Sequence, residues 1–179
     1  MELSRLLDFQ ITYTVLLVLL TLKFGDWKNW QLYYPTILYY AVVYFTYALL
    51  CYNFPLWEYE SPLLKTTGSD LLLTLIAAPA TIILYLTYLN KILLKSKAFT
   101  PLYITAWVAF LTIVEWTSYQ LGFFSYFNNW SIWWSLLFNC TLFPMLWLHF
   151  KKPLWAILLA FVFAIMVLTC FHVPFSSMK

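Results

Sequence analysis

Apolar stretches of about twenty residues recur along this chain between short polar breaks. Residues 6–22, 35–55, 71–89, 101–121, 132–149 and 153–171 each reach the roughly 17 to 25 residues that a helix needs to cross a hydrocarbon core of about 30 Å. The breaks read "KFGDWKNW", "NFPLWEYESP", "KILLKSKAFTP", "GFFSYFNNWS" and "HFKKP". They combine turn formers with aromatics, and Pro35, Pro101 and Pro153 stand where helices are expected to begin. No loop exceeds about a dozen residues, and no low-complexity tail is present. The pattern predicts an all-α membrane protein, a single domain over residues 1–179 built of six transmembrane helices with short loops.

Composition sharpens that expectation. The chain is 64% hydrophobic, 22% aromatic and only 9% charged, whereas soluble domains carry about 25% charged residues. One soluble core cannot hide so much apolar surface, so the lipid bilayer is the expected solvent and first partner. The net charge is +3, but the bases are all Lys except Arg5 and are scattered at segment ends. That scatter excludes a nucleic-acid patch. Trp27, Trp30, Trp57, Trp130, Trp133 and Trp134 fall at the expected headgroup levels. The start, "MELSRLLDFQITYT", carries Glu2 and Asp8 without a small-residue cleavage site, and reads as a retained first span.

Lys and Arg are retained on the cytoplasmic side during insertion. Loops one, three and five carry Lys23, Lys28, Lys91, Lys95, Lys97, Lys151 and Lys152, and the other side carries only Arg5, Lys65 and Lys179. Both termini are therefore expected to be extracytoplasmic, in a multi-pass plasma-membrane protein.

Polar residues within the spans form stripes at 100° per residue. Thr105, Thr112, Glu115 and Tyr119 share a sector of the fourth span, Ser135, Asn139 and His149 of the fifth, and Asp70, Thr74, Thr81, Tyr85 and Tyr88 of the third. Thr36, Tyr40, Tyr44, Tyr47 and Cys51 line one side of the second. Such stripes face other helices, and most of these hydroxyls are expected to act as interhelical glue. Glu115 differs, because an intramembrane carboxyl is expensive and no Lys or Arg lies within any span to neutralise it. Counting from the span ends puts Glu115 about 9 Å below the outer boundary, level with Asn139. Pro144 and Pro79 each block a helical hydrogen bond, to the carbonyls of Cys140 and Leu75. A carboxyl, an amide and a freed carbonyl are thus expected to converge. Glu115 is either a neutral acid donating a hydrogen bond or an ion reached by water from outside.

Other chemistry is not signalled. Cys51, Cys140 and Cys170 lie in apolar stretches without metal-ligand spacing. His149 and His172 fall at opposite membrane faces, which speaks against a haem held by both. There is no H-E-x-x-H, G-x-S-x-G or Walker loop, and three glycines, Gly25, Gly68 and Gly122, cannot make a phosphate cradle. No catalytic set, cofactor or metal is expected.

The ordered segments "LKFGDWKNW…YYPT", "YNFPLWEYE", an Asp then a Pro in the third span, "VEW", and "NNWSIWWSLLFN…P…HFKKP" resemble an uncharacterised family of small multi-pass membrane proteins from spore-forming Gram-positive bacteria. The resemblance covers most of the chain. It implies a bacterial plasma membrane and marks Glu115, Trp116, Asn139 and Pro144 as matching positions, and it implies no activity.

The leading functional expectation is proton- or cation-linked binding or transport of a small solute, at an outward-side polar pocket. Glu115 would titrate there and Asn139 would orient it, with Asp70, Ser135, Asn53, Thr112 and Tyr119 around them. One alternative is a non-catalytic subunit whose stripes bind a second copy or another membrane protein. The other is a membrane-embedded enzyme on a lipid or prenyl substrate, pairing Glu115 with Asp70, Glu58 or Glu60.

Overall fold

The structure, a computed structural model, describes residues 8–95 and 97–179. It is 79% helical, in six helical segments. Helix α1 is Phe9–Phe24 and α2 is Trp30–Leu50. The third segment joins α3, Lys65–Leu72, to α4, Ala78–Lys95, through a π-helical turn at Leu73–Ala77. The remaining helices are α5, Thr100–Gln120, α6, Ile132–Lys151, and α7, Pro153–Cys170. Each expected span coincides with one segment, though residues 6 and 7 of the first lie outside the described residues, as do Glu2 and Arg5. Pro101 and Pro153 open their helices as expected, but Pro35 sits inside α2, past its first turn.

Six membrane crossings are more than length and apolarity establish. Among the described residues, Lys65–Leu94 and Pro153–Cys170 alone are long and apolar enough to cross a bilayer, and a third crossing is reached if α1 and Trp27–Leu50, bent by 93°, count as one. The other helices are diluted by Tyr, Trp, Thr and amide side chains, which favour interfaces and helix contacts over lipid. The surface still points to an apolar solvent: Leu154, Phe161 and Val162 on α7 are 75%, 65% and 64% exposed. Water-soluble monomers rarely expose such continuous apolar patches.

The all-α expectation missed one element. Strands β1, Trp57–Tyr59, and β2, Phe124–Tyr126, pair antiparallel with Trp57 opposite Tyr126 and Tyr59 opposite Phe124. The pairing ties the loop after α2 to the loop after α5. Both ends of the described chain join them: Asp8 caps α1 and accepts from the Ser61 hydroxyl, while the Asn53 N–H donates to the Ser177 carbonyl at 3.0 Å. The opposite end holds the α1–α2 turn, where the Asp26 N–H meets the Thr87 hydroxyl at 3.3 Å and Tyr33 stacks on Phe150.

The segment α4 lies at the centre, with Ile82, Ile83, Leu84, Tyr85 and Leu86 all buried. A helix apolar around its whole circumference must be surrounded, and α1, α2 and α5 pack around this one. Gly25 ends α1 where a Cβ would stand 2.6 Å from the Thr21 carbonyl oxygen and 3.1 Å from Ile83. No larger residue lets α1 turn so close to α4.

Candidate functional site

Three elements deliver a carboxyl and its partners to one place. Gly122, at φ +77°, closes α5 in the left-handed conformation that glycine adopts without strain. The Phe123 N–H then bonds back to the Ser118 carbonyl at 2.9 Å, a Schellman-type closure. The chain therefore folds back as β2, which hangs Tyr126 over α5. Its hydroxyl donates to Glu115 Oε1 at 2.7 Å. Ser135 of α6 stands beside the Glu115 carboxyl and accepts from Trp130 Nε1 at 2.9 Å. Burial, together with the neighbouring carboxylate, pushes the Tyr126 hydroxyl well above the usual tyrosine range. It remains a donor throughout the physiological pH range.

Glu115 and Asn139 are not level. Asn139 donates to the Thr112 hydroxyl at 3.3 Å, and Ser135 is the α6 residue that meets Glu115. The offset between Asn139 and Ser135 is one helical turn, about 5 Å. Counting from the loop ends fails because α6 starts deeper than α5 stops, the chain between them being taken up by β2. The expected convergence on the Cys140 carbonyl is also not formed: the Asn139 amide is spent on Thr112, and the interhelical donor near Pro144 is the Tyr85 hydroxyl, 2.9 Å from the carbonyl of Phe143.

Glu115, Ser135 and Asn139 all line a half-open cavity of about 1090 Å³, at or slightly above the upper end of small-molecule pockets. It is bounded by α1, α2, α5, α6 and α7, and its walls are overwhelmingly apolar. The stripe of Tyr40, Tyr44, Tyr47 and Cys51 faces into it, as does much of α7. One end is closed where the Tyr39 hydroxyl reaches the Ala156 carbonyl at 3.3 Å and the Tyr39 ring stacks on His149. The other is roofed by Tyr47 stacked on Trp57 at 4.0 Å, and by Trp130 against Phe171 at 4.9 Å. Trp57 and Trp130 are therefore packing residues, not members of an exposed headgroup belt, whereas Trp133 is 72% exposed.

The remaining expected residues are dispersed. Thr112 supports Asn139 from α5. Asp70 stands one bond behind the cavity wall, accepting from the Tyr44 hydroxyl. Asn53 is exposed beyond the end of α2, and Tyr119 is exposed and touches the site only by stacking on Tyr126 at 5.1 Å. Of the loop carboxylates, Glu60 is exposed and accepts from Ser125. Glu58 is half-buried, and burial, with Glu60 and Asp70 nearby, raises its carboxyl above the usual range. Among the described residues no three His, Cys, Asp or Glu side chains are grouped to hold a metal ion.

The sequence reading missed Tyr126, Gln10, Tyr13 and Tyr59. Gln10, Tyr13 and Thr14 form an i, i+3, i+4 stripe that was there to be read in "FQITYT". Tyr126 and Tyr59 lie in loops and gave no periodic signal. No protein-family model, curated protein or solved structure matches the chain.

Proposed function

We propose that this chain is a bacterial plasma-membrane protein that binds a small amphiphile, its apolar body between α2 and α7 and its polar end against Glu115. The reading includes six membrane crossings with both termini extracytoplasmic, which would put Glu115 toward the outer face. The observation that carries it is the cavity itself: about 1090 Å³, apolar along its length, with Glu115, among the described residues, its one acidic lining residue. A fully hydrated solute gains little from such walls, whereas an alkyl or ring system gains about 25 cal/mol for each Å² removed from water. Proton- or cation-linked handling fits the same site, with Tyr126 and Ser135 as partners of Glu115 in place of Asn139. The two-carboxylate enzyme draws no support from the geometry, since none of Glu58, Glu60 and Asp70 lines the cavity with Glu115, Glu60 is exposed and Asp70 is held by Tyr44.

A bromodecyl alcohol, which quenches indole fluorescence, tests the reading in lipid nanodiscs because Trp57 and Trp130 line the cavity. Saturable quenching is expected above the linear background from bilayer partitioning. Ala160→Trp fills the cavity and is expected to weaken saturable quenching about tenfold. Leu158→Trp, on the 57% exposed outer side of α7, should leave it unchanged. Equal behaviour of the two variants would overturn the reading.

A further inference from the structure

The polar end of the cavity has a composition that selects among amphiphiles. Tyr13 from α1, Tyr40 and Tyr44 from α2, and Tyr59 from β1 all line it together with Glu115. The Tyr59 hydroxyl lies within electrostatic reach of Tyr40, Glu115, Asp70 and Tyr13, so these groups form one cluster drawn from five elements. Tyr40 and Tyr44 stack with ring centroids 6.4 Å apart. Among the described residues no Lys or Arg lines the cavity.

A second observation comes from Gln10. Its side chain is only 2% exposed, and its Nε2 donates to the carbonyls of Phe123 at 2.9 Å and Glu60 at 3.3 Å. Those two bonds tie α1, which carries Tyr13, to the residues flanking β1 and β2, beside the cavity that Gln10 lines.

We infer that this end of the cavity recognises an organic cation, a protonated amine or quaternary ammonium carried on an apolar body. Aromatic faces attract such a head through their ring quadrupoles, the more strongly where water is excluded. The Glu115 carboxylate supplies the counter-charge, with Asp70 behind Tyr44 adding to the negative potential. A protonated amine and a quaternary ammonium both rely on the rings and the carboxylate. A phosphate or sulfate head would meet acceptors and carboxylates with no cation to pair with. This inference rests on the amphiphile reading and adds the sign of the head group.

The test is competition against the bromodecyl alcohol in nanodiscs, with decylamine, decyltrimethylammonium and decyl sulfate as competitors of equal chain length. Each competitor is compared at equal bilayer-bound concentration. Decylamine and decyltrimethylammonium are expected to displace the probe at about tenfold lower concentration than decyl sulfate. Glu115→Gln should erase most of that preference, measured relative to the variant's own affinity for the alcohol. Tyr40→Leu, which keeps the carboxylate, should reduce it about threefold. Saturable binding of the alcohol with no preference among heads, or with preference for the sulfate, overturns this inference alone. Absence of any saturable site for the alcohol overturns the cavity reading and this inference together.

Discussion

Glu115 shows how a single carboxyl is housed without a cationic mate. Its Oε1 accepts from Tyr126, and Ser135, held by the Trp130 indole, stands beside it. These neighbours belong to different stretches of chain, so the carboxyl is housed only once α5, β2 and α6 have assembled. Glu58, in the loop above, is less well served. Burial raises its carboxyl above the usual carboxylate range, and its acidic neighbours Glu60 and Asp70 add to that effect. A raised carboxyl favours the folded state at low pH and loses that contribution as pH climbs through its folded value. Glu58→Gln is therefore expected to raise the melting temperature at pH 7, with the difference shrinking toward zero near pH 4. A thermal-unfolding series across that range checks the sign, and a variant less stable than the parent at pH 7 would show that the Glu58 charge is compensated.

At the scale of elements, the six helical segments were legible because each is a long apolar run closed by turn residues, a signal that survives without tertiary context. The two strands were not. "WEY" and "FSY" are too short to show alternation, and each pairs with a segment more than sixty residues away, so nothing local announces them. The stripes of the fifth and third spans read correctly, with Ser135, Asn139 and His149 buried, as are Thr74, Thr81 and Tyr85, whereas in the fourth-span stripe Thr105 and Tyr119 are exposed. What failed was register. Depth counted from helix ends assumes that neighbouring helices start at one level, and the fold-back after Gly122 breaks that assumption. Gly122 therefore governs the site from a distance. A Cβ there meets no atom within 4 Å, so Gly122→Ala carries only the conformational penalty of φ +77°, about 1 kcal/mol. Chemical denaturation in detergent should show that loss without loss of helix content. An unchanged stability would mean that the turn is not held in the left-handed conformation.

Across the whole molecule, helices pack tightly around α4 and loosely between α2 and α7. The tight part carries buried tyrosine hydroxyls bonded across helices, such as Tyr85 to Phe143 and Tyr103 to Tyr85, interactions that hold helices together where lipid removes the hydrophobic drive. The loose part is the cavity, and helix α7, attached chiefly through α6, forms its outer wall. On the proposed reading, an amphiphile would enter past this wall from the bilayer. The most direct measurement follows the Glu115 carboxyl itself. With glutamate labelled at the side-chain carbonyl carbon and the protein in nanodiscs, the chain gives one resonance for each Glu, and Glu115→Gln identifies the one that matters. Titration with decyltrimethylammonium is expected to shift that resonance saturably in the parent, and not in Ala160→Trp. A Glu115 resonance that stays fixed while saturable binding is seen by fluorescence would contradict the assignment of this carboxyl to the ligand site.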